Sequence, residues 1–272
     1  PSSPGAARGA HVPDLLSTAL VGLAVVAGAM TLLWGVSLLL RDASVVDPFW
    51  GPGFFLVTTA YLVVEGGTSL RGWLTWAFVG LWAARLGSHL LRRNRSEGED
   101  PRYASWREEH GASYWWVSLF QVFWLQAGIL WVVAFPLLVS VRSTAPLGLW
   151  DGLGAALFLA GFLVEALADA QLRRFRRDPA NRGRVLDSGL WRYSRHPNYF
   201  GDAVLWWGLW LIAVGGGGAW TVFSPVVMTF LLLKVSGVAL LEKDIEERRP
   251  KYAEYVRRTS AFVPLPPRES DG

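Results

Sequence analysis

Apolar residues along the chain fall in long unbroken runs, separated by short stretches dense in arginine, glycine and proline. A bilayer core is crossed by roughly 20 apolar helical residues. Seven runs approach that length: about 15–40, 52–66, 70–91, 114–141, 146–171, 199–215 and 219–241. The pattern predicts an all-α polytopic membrane protein of seven transmembrane helices, folded as one domain over 1–272 with a flexible N-terminus at 1–14. The first run is too long for a signal peptide and lacks a small-residue cleavage site. The polar connections between runs are too short to carry a core of their own. GGGG at 215–218 predicts a tight turn between the last two helices; without a strand before it, it is no dinucleotide fingerprint.

Composition strengthens the membrane reading. Of 272 residues 52% are hydrophobic and 16 are tryptophan, far from soluble-domain usage. Cysteine is absent, which excludes disulfides and thiolate chemistry. The four histidines, His11, His89, His110 and His196, show no ligand spacing, so no metal site is expected.

Charge then sets the orientation. Of 26 basic residues 23 are arginine, clustered at 92–107, 173–195 and 243–268. A nucleic-acid binder would not part its basic clusters with 20-residue apolar runs, so no nucleic-acid partner is expected. Basic loops stay in the cytoplasm. With the N-terminus outside and the C-terminus cytoplasmic, only Arg8, Arg71 and Arg142 face outward.

Ionisable groups at membrane depth are costly, and each marks a candidate site. Asp47 opens the second run in VVDPFWGPG, and Arg85 lies in WAARLGSHLL. Glu165 and Asp169, four apart, share a helix face that Arg173 extends. Asp202 sits one turn inside the sixth run, and Lys234 and Glu242 lie near the end of the seventh. Two readings stand for this group. The residues pair to hold the bundle together, or they converge on a polar cavity open to the cytoplasm. The arginines of 173–195 likewise read as a topology signal or lipid contact, or as paired-donor forks for the phosphates of a dinucleotide.

DSGLWRYSRHPNYFGD at 187–202, an apolar helix, and EKDIEERRPKYAEYVRRTSAFVPLPP at 242–267 together resemble the steroid 5α-reductase family, above all its bacterial branch. VVDPFWG and EDPRYASWRE extend the resemblance over most of the chain. The wider superfamily includes isoprenylcysteine carboxyl methyltransferases, which share RHP-x-Y-x-G. The resemblance implies a seven-helix enzyme of the bacterial inner membrane that takes NADPH from the cytoplasm, the segments 172–198 and 242–272 covering the cofactor. It would reduce a C=C bond conjugated to a ketone in a lipidic or steroid-like substrate, working as a monomer among membrane lipids.

Carried over, Asp169, Arg173, Arg176, Arg184, Asn198, Tyr199 and Asp202 match cofactor positions. Asn198 and Asp202 would bond the nicotinamide carboxamide or the ribose, and the arginines the phosphates. Glu165, standing where an asparagine is expected, joins this set with Arg195 and His196. On the substrate side the resemblance is altered. Asp47 stands at the acidic position of a Gln-Glu pair and Trp82 at a tyrosine position, with Trp50 and Arg85 beside the substrate. Asp47 is the candidate acid, since an apolar setting favours its protonated form. Two alternatives remain open: an S-adenosylmethionine-dependent membrane methyltransferase, which needs fewer arginines, and a non-enzymatic lipid-binding protein.

Overall fold

The structure is a computed structural model, and it describes residues 14–235 and 250–268. Among the described residues the chain is helical, with no strand longer than one isolated bridge. The helices are α1 (Leu15–Leu40), α2 (Trp50–Val64), α3 (Leu70–Glu97), α4 (Pro101–His110), α5 (Tyr114–Ser118), α6 (Leu125–Val133), α7 (Phe135–Arg142), α8 (Leu149–Arg177), α9 (Pro197–Gly215), α10 (Phe223–Phe230) and α11 (Pro250–Arg258). Three helical stretches are long and apolar enough to cross a membrane: Leu15–Leu40, Pro101–Val133 and Leu149–Arg177.

Every apolar run predicted from the sequence is helical where it is described, but several boundaries differ. Asp47 does not open α2; it sits in a 3₁₀ turn, Ala43–Phe49, that leads into it. α3 continues to Glu97, and the connection after it forms α4, capped by Asp100 with Pro101 in the first turn. The fourth run is interrupted twice. Leu119–Trp124 is a π-helical turn between α5 and α6, and Pro136, which has no N–H for the ladder, separates α6 from α7. The seventh run is described only to Val235, and Glu242 lies outside the described residues, as do 1–13.

α8 and α9 form the tightest seam. Gly154 and Gly161 on α8 face Gly208 and Gly201 on α9, antiparallel and seven residues apart on each helix. A Cβ on Gly161 would lie 2.5 Å from the Gly201 carbonyl oxygen, and one on Gly208 would lie 2.5 Å from the Phe158 nitrogen. Only glycine permits this approach, and small residues are how helices meet closely in an apolar solvent. The seam sets the polar residues at the arginine-rich end of α8 against the first turns of α9.

The opposite end is fastened by ion pairs. Arg71 is fully buried, and its Nε and Nη2 donate to Asp151 at 2.7 and 3.0 Å. Its Nη1 donates to Ser143 Oγ at 2.6 Å and to the Ala145 carbonyl, and Nη2 also reaches the Pro146 carbonyl. Nearby, Arg142 pairs with Glu65, which also accepts from Thr18.

Candidate functional site

The polar residues singled out along the chain meet where α3, α8 and α9 converge. Glu165 and Asp169, one turn apart on α8, are both buried, and both accept hydrogen bonds from Arg85 of α3. The Arg85 Nη1–Asp169 Oδ2 distance is 2.8 Å. Asn198, in the first turn of α9, donates to Asp169 Oδ1 at 3.2 Å. His89, one turn along α3 from Arg85, lies 3.7 Å from Asp169, and Arg173 Nη1 meets its Nδ1 at 2.9 Å. Asp202, buried one turn further into α9, lies within electrostatic reach of Glu165 and Arg85.

Several polar atoms of this nest are buried without a hydrogen-bond partner among the described residues. They are Arg85 Nε, Glu165 Oε2, Asn198 Oδ1, Asp202 Oδ1 and the indole nitrogens of Trp82 and Trp206. An unmade hydrogen bond costs about 1–3 kcal/mol per buried group. Six such atoms, donors and acceptors together, gather at this one junction.

An aromatic layer closes the nest on its apolar side. Trp82 and Trp206 meet edge to face at 5.6 Å, and Phe54 packs on both, at 5.8 and 4.6 Å. Trp50 touches the edge of this layer through Phe54 at 5.5 Å. An open cleft of about 410 Å³ lies outside the nest, past the last turns of α8, between Gln171, Phe175, Asn181 and Gly189.

Asp47 belongs to a second polar cluster. Tyr103 of α4 donates to its Oδ1 at 2.9 Å, Gln126 of α6 approaches the same hydroxyl at 3.5 Å, and Arg93 lies 3.8 Å from Oδ2. Burial pushes the Asp47 carboxyl above its usual range, against the opposing pull of the Tyr103 hydrogen bond and of Arg102 and Arg93. Tyr103 is buried, and its ring carries the Arg102 guanidinium at 5.4 Å.

The expected site residues therefore sort by place. Glu165, Asp169, Arg173, Asn198 and Asp202 come together, joined by Arg85, which the sequence had set on the substrate side. Tyr199 adjoins them, its ring stacked parallel on buried His196 at 5.6 Å. Arg176 and Arg184 are exposed at the end of α8 and in the loop beyond it. Arg195 turns another way. It is buried against the C-terminal segment, its Nη1 donating to the Val256 and Thr259 carbonyls at 2.9 Å each. Sequence reasoning missed Tyr103, Gln126 and His89; only the fold brings Tyr103 to Asp47 across 56 residues.

Three helices long and apolar enough to cross a membrane suggest a membrane-associated protein, and α3, α8 and α9 hold an ion-pair cluster between them. The chain belongs to the family described as protein of unknown function (DUF1295), which matches residues 33–259. That family lies in the steroid 5α-reductase-like superfamily, which upholds the sequence resemblance at that level. An uncharacterised protein of Schizosaccharomyces pombe is 27% identical over 264 residues, covering 85% of this chain and 75% of its own length. No solved structure matches the chain.

Proposed function

We propose that the chain is an NADPH-dependent membrane reductase that saturates a C=C bond conjugated to a ketone in a lipidic or steroid-like substrate. The observation that carries this reading is the nest of unpaired polar atoms between α3, α8 and α9. A nicotinamide carboxamide offers two N–H donors and one carbonyl acceptor. Asn198 Oδ1 and Asp202 Oδ1 are acceptors and Arg85 Nε is a donor, so the residues fit that group. Arg173 and Arg176, at the same end of α8, and Arg184, in the loop beyond it, are paired-donor forks suited to phosphate.

NADPH held there supplies the hydride. The chain's own residues do the rest. The Phe54, Trp82 and Trp206 layer keeps water from the reacting carbon. Asp47, whose carboxyl burial pushes above its usual range, would in its protonated form donate a hydrogen bond to the substrate ketone and stabilise the enolate, and a proton from solvent would complete the α-carbon. Tyr103 holds that carboxyl in place. The full reading has seven spans, the N-terminus outside, the arginine-rich end in the cytoplasm, and a monomer in a bacterial inner membrane.

Titration of the purified protein with NADPH or S-adenosylmethionine, followed by tryptophan fluorescence, tests the reading. Saturable quenching by NADPH alone is expected. Saturation by S-adenosylmethionine alone would transfer the site to a methyltransferase, and silence with both would leave a lipid-binding protein.

A further inference from the structure

Below the start of α9 the C-terminal segment folds back on the chain. The Arg195 N–H donates to the Ser260 carbonyl at 2.8 Å, Ser194 Oγ donates to the Phe262 carbonyl at 2.8 Å, and the Leu265 N–H donates to the Tyr193 carbonyl at 3.0 Å. These bonds enclose a cavity of about 250 Å³, distinct from the nest between α3, α8 and α9. Four guanidinium-bearing residues line it: Arg195, Arg257, Arg258 and Arg268, together with Thr259 and Ser260. Among the described residues the carboxylates facing Arg258 are Asp187 and Glu254, each at 3.6 Å and more than half exposed, so their neutralising effect is weak. Arginine forks gathered round a small cavity suit one oxyanion in particular, phosphate, which accepts several paired N–H bonds at once.

The surroundings say which phosphate. Arg195 stands two residues before Pro197, where α9 begins, so the cavity lies at the level of that helix end. α9 packs antiparallel on α8, which is long and apolar enough to cross a membrane, so its start lies level with the arginine-rich end of α8, the depth at which headgroups would meet a membrane-spanning α8. The same segment exposes Val263 and Leu265, each 51% accessible, with Tyr193 beside them, side chains that an aqueous surface gains nothing from showing. Apolar side chains flanking a cationic cavity at a helix end have the layout of a surface that dips into the acyl boundary while gripping a headgroup.

We propose that this cavity seats the phosphate of an anionic lipid headgroup and so ties the C-terminal segment, and through Arg195 the start of α9, to the membrane surface. The inference rests on the membrane placement of α9 and not on the reductase chemistry. Its test needs no cofactor. The intact protein in detergent is offered phosphatidylglycerol and phosphatidylcholine of identical acyl chains, and the bound lipid is counted by native mass spectrometry. The native chain is expected to retain phosphatidylglycerol about tenfold over phosphatidylcholine, and R257A/R268A to lose that preference, as the contribution of two arginines near an anionic surface requires. Both arginines of that variant are solvent-exposed, and an unchanged melting temperature would show that it folds. Equal retention of the two lipids, or a preference that survives in the double variant, overturns the proposal. Displacement of the lipid by inorganic phosphate alone at about 10 mM, where millimolar binding is worth only about −4 kcal/mol, overturns the lipid assignment and makes this a site for a free phosphate compound.

Discussion

Two arginines, fourteen positions apart on α3, one fully buried and one half-buried, are used in opposite ways. Arg71, at the far end, has each guanidinium nitrogen engaged, by Asp151, Ser143 and two backbone carbonyls. Arg85, at the arginine-rich end, faces two carboxylates but leaves Nε unpaired, and its neighbours Glu165, Asn198 and Asp202 each leave an oxygen unpaired. Evolution tolerates a buried charge when its valences are filled, because filling them offsets desolvation. The far end is a finished clasp. The near end carries unfilled hydrogen-bonding capacity, which the proposed cofactor would complete.

The largest effect is expected at the clasp. Arg71→Ala strands Asp151 in an apolar setting and is expected to cost about 3–5 kcal/mol, read as a lower melting temperature in detergent. NADPH affinity should survive at temperatures where the protein remains folded. Arg85→Ala should do the reverse. It loses about 1–3 kcal/mol of cofactor affinity in the fluorescence titration, with a smaller loss of stability than Arg71→Ala. Equal melting shifts with NADPH binding intact would erase the distinction between the two ends. Asp202→Asn sharpens it further: because one oxygen is already unpaired, melting should move by less than about 1 kcal/mol while NADPH binding weakens several-fold.

The smallest effect is a change of slope. Asp47 has its carboxyl raised by burial, so its protonated form is favoured in the fold. The stability this contributes is complete below the unfolded value of 3.8 and is lost as pH rises through the higher folded value. Enone reduction should decline along the same limb, since the hydrogen-bond donor is lost with the proton. Asp47→Asn should flatten that decline in a plot of kcat/KM against pH, and an unaltered profile would remove Asp47 from the acid role.

The helices were legible in the sequence because hydropathy is a local property: each apolar run is long enough to declare itself without knowledge of its neighbours. The four-residue spacing of Glu165 and Asp169 was equally local, and both do accept from one arginine. That Arg85 meets Glu165 and Asp169 could not be read from the sequence, because helix rotation depends on packing, which no single run encodes. Tyr103 was invisible for a related reason. It lies in a polar connection, and its contact with Asp47 exists only once α4 folds back against the 3₁₀ turn before α2. The bonds of Arg195 to Val256 and Thr259 were equally invisible, because they depend on where the tail docks.

The glycine seam between α8 and α9 makes the molecule a ruler as well as a scaffold. Gly161 precedes Glu165 by about one helical turn, and Gly201 is the immediate neighbour of Asp202. One residue inserted between Gly161 and Glu165 would swing both carboxylates of α8 by about 100° and lift them about 1.5 Å along the axis. Inherited variation in this chain should therefore spare the length of these short spacers even where it freely exchanges the lipid-facing side chains around them.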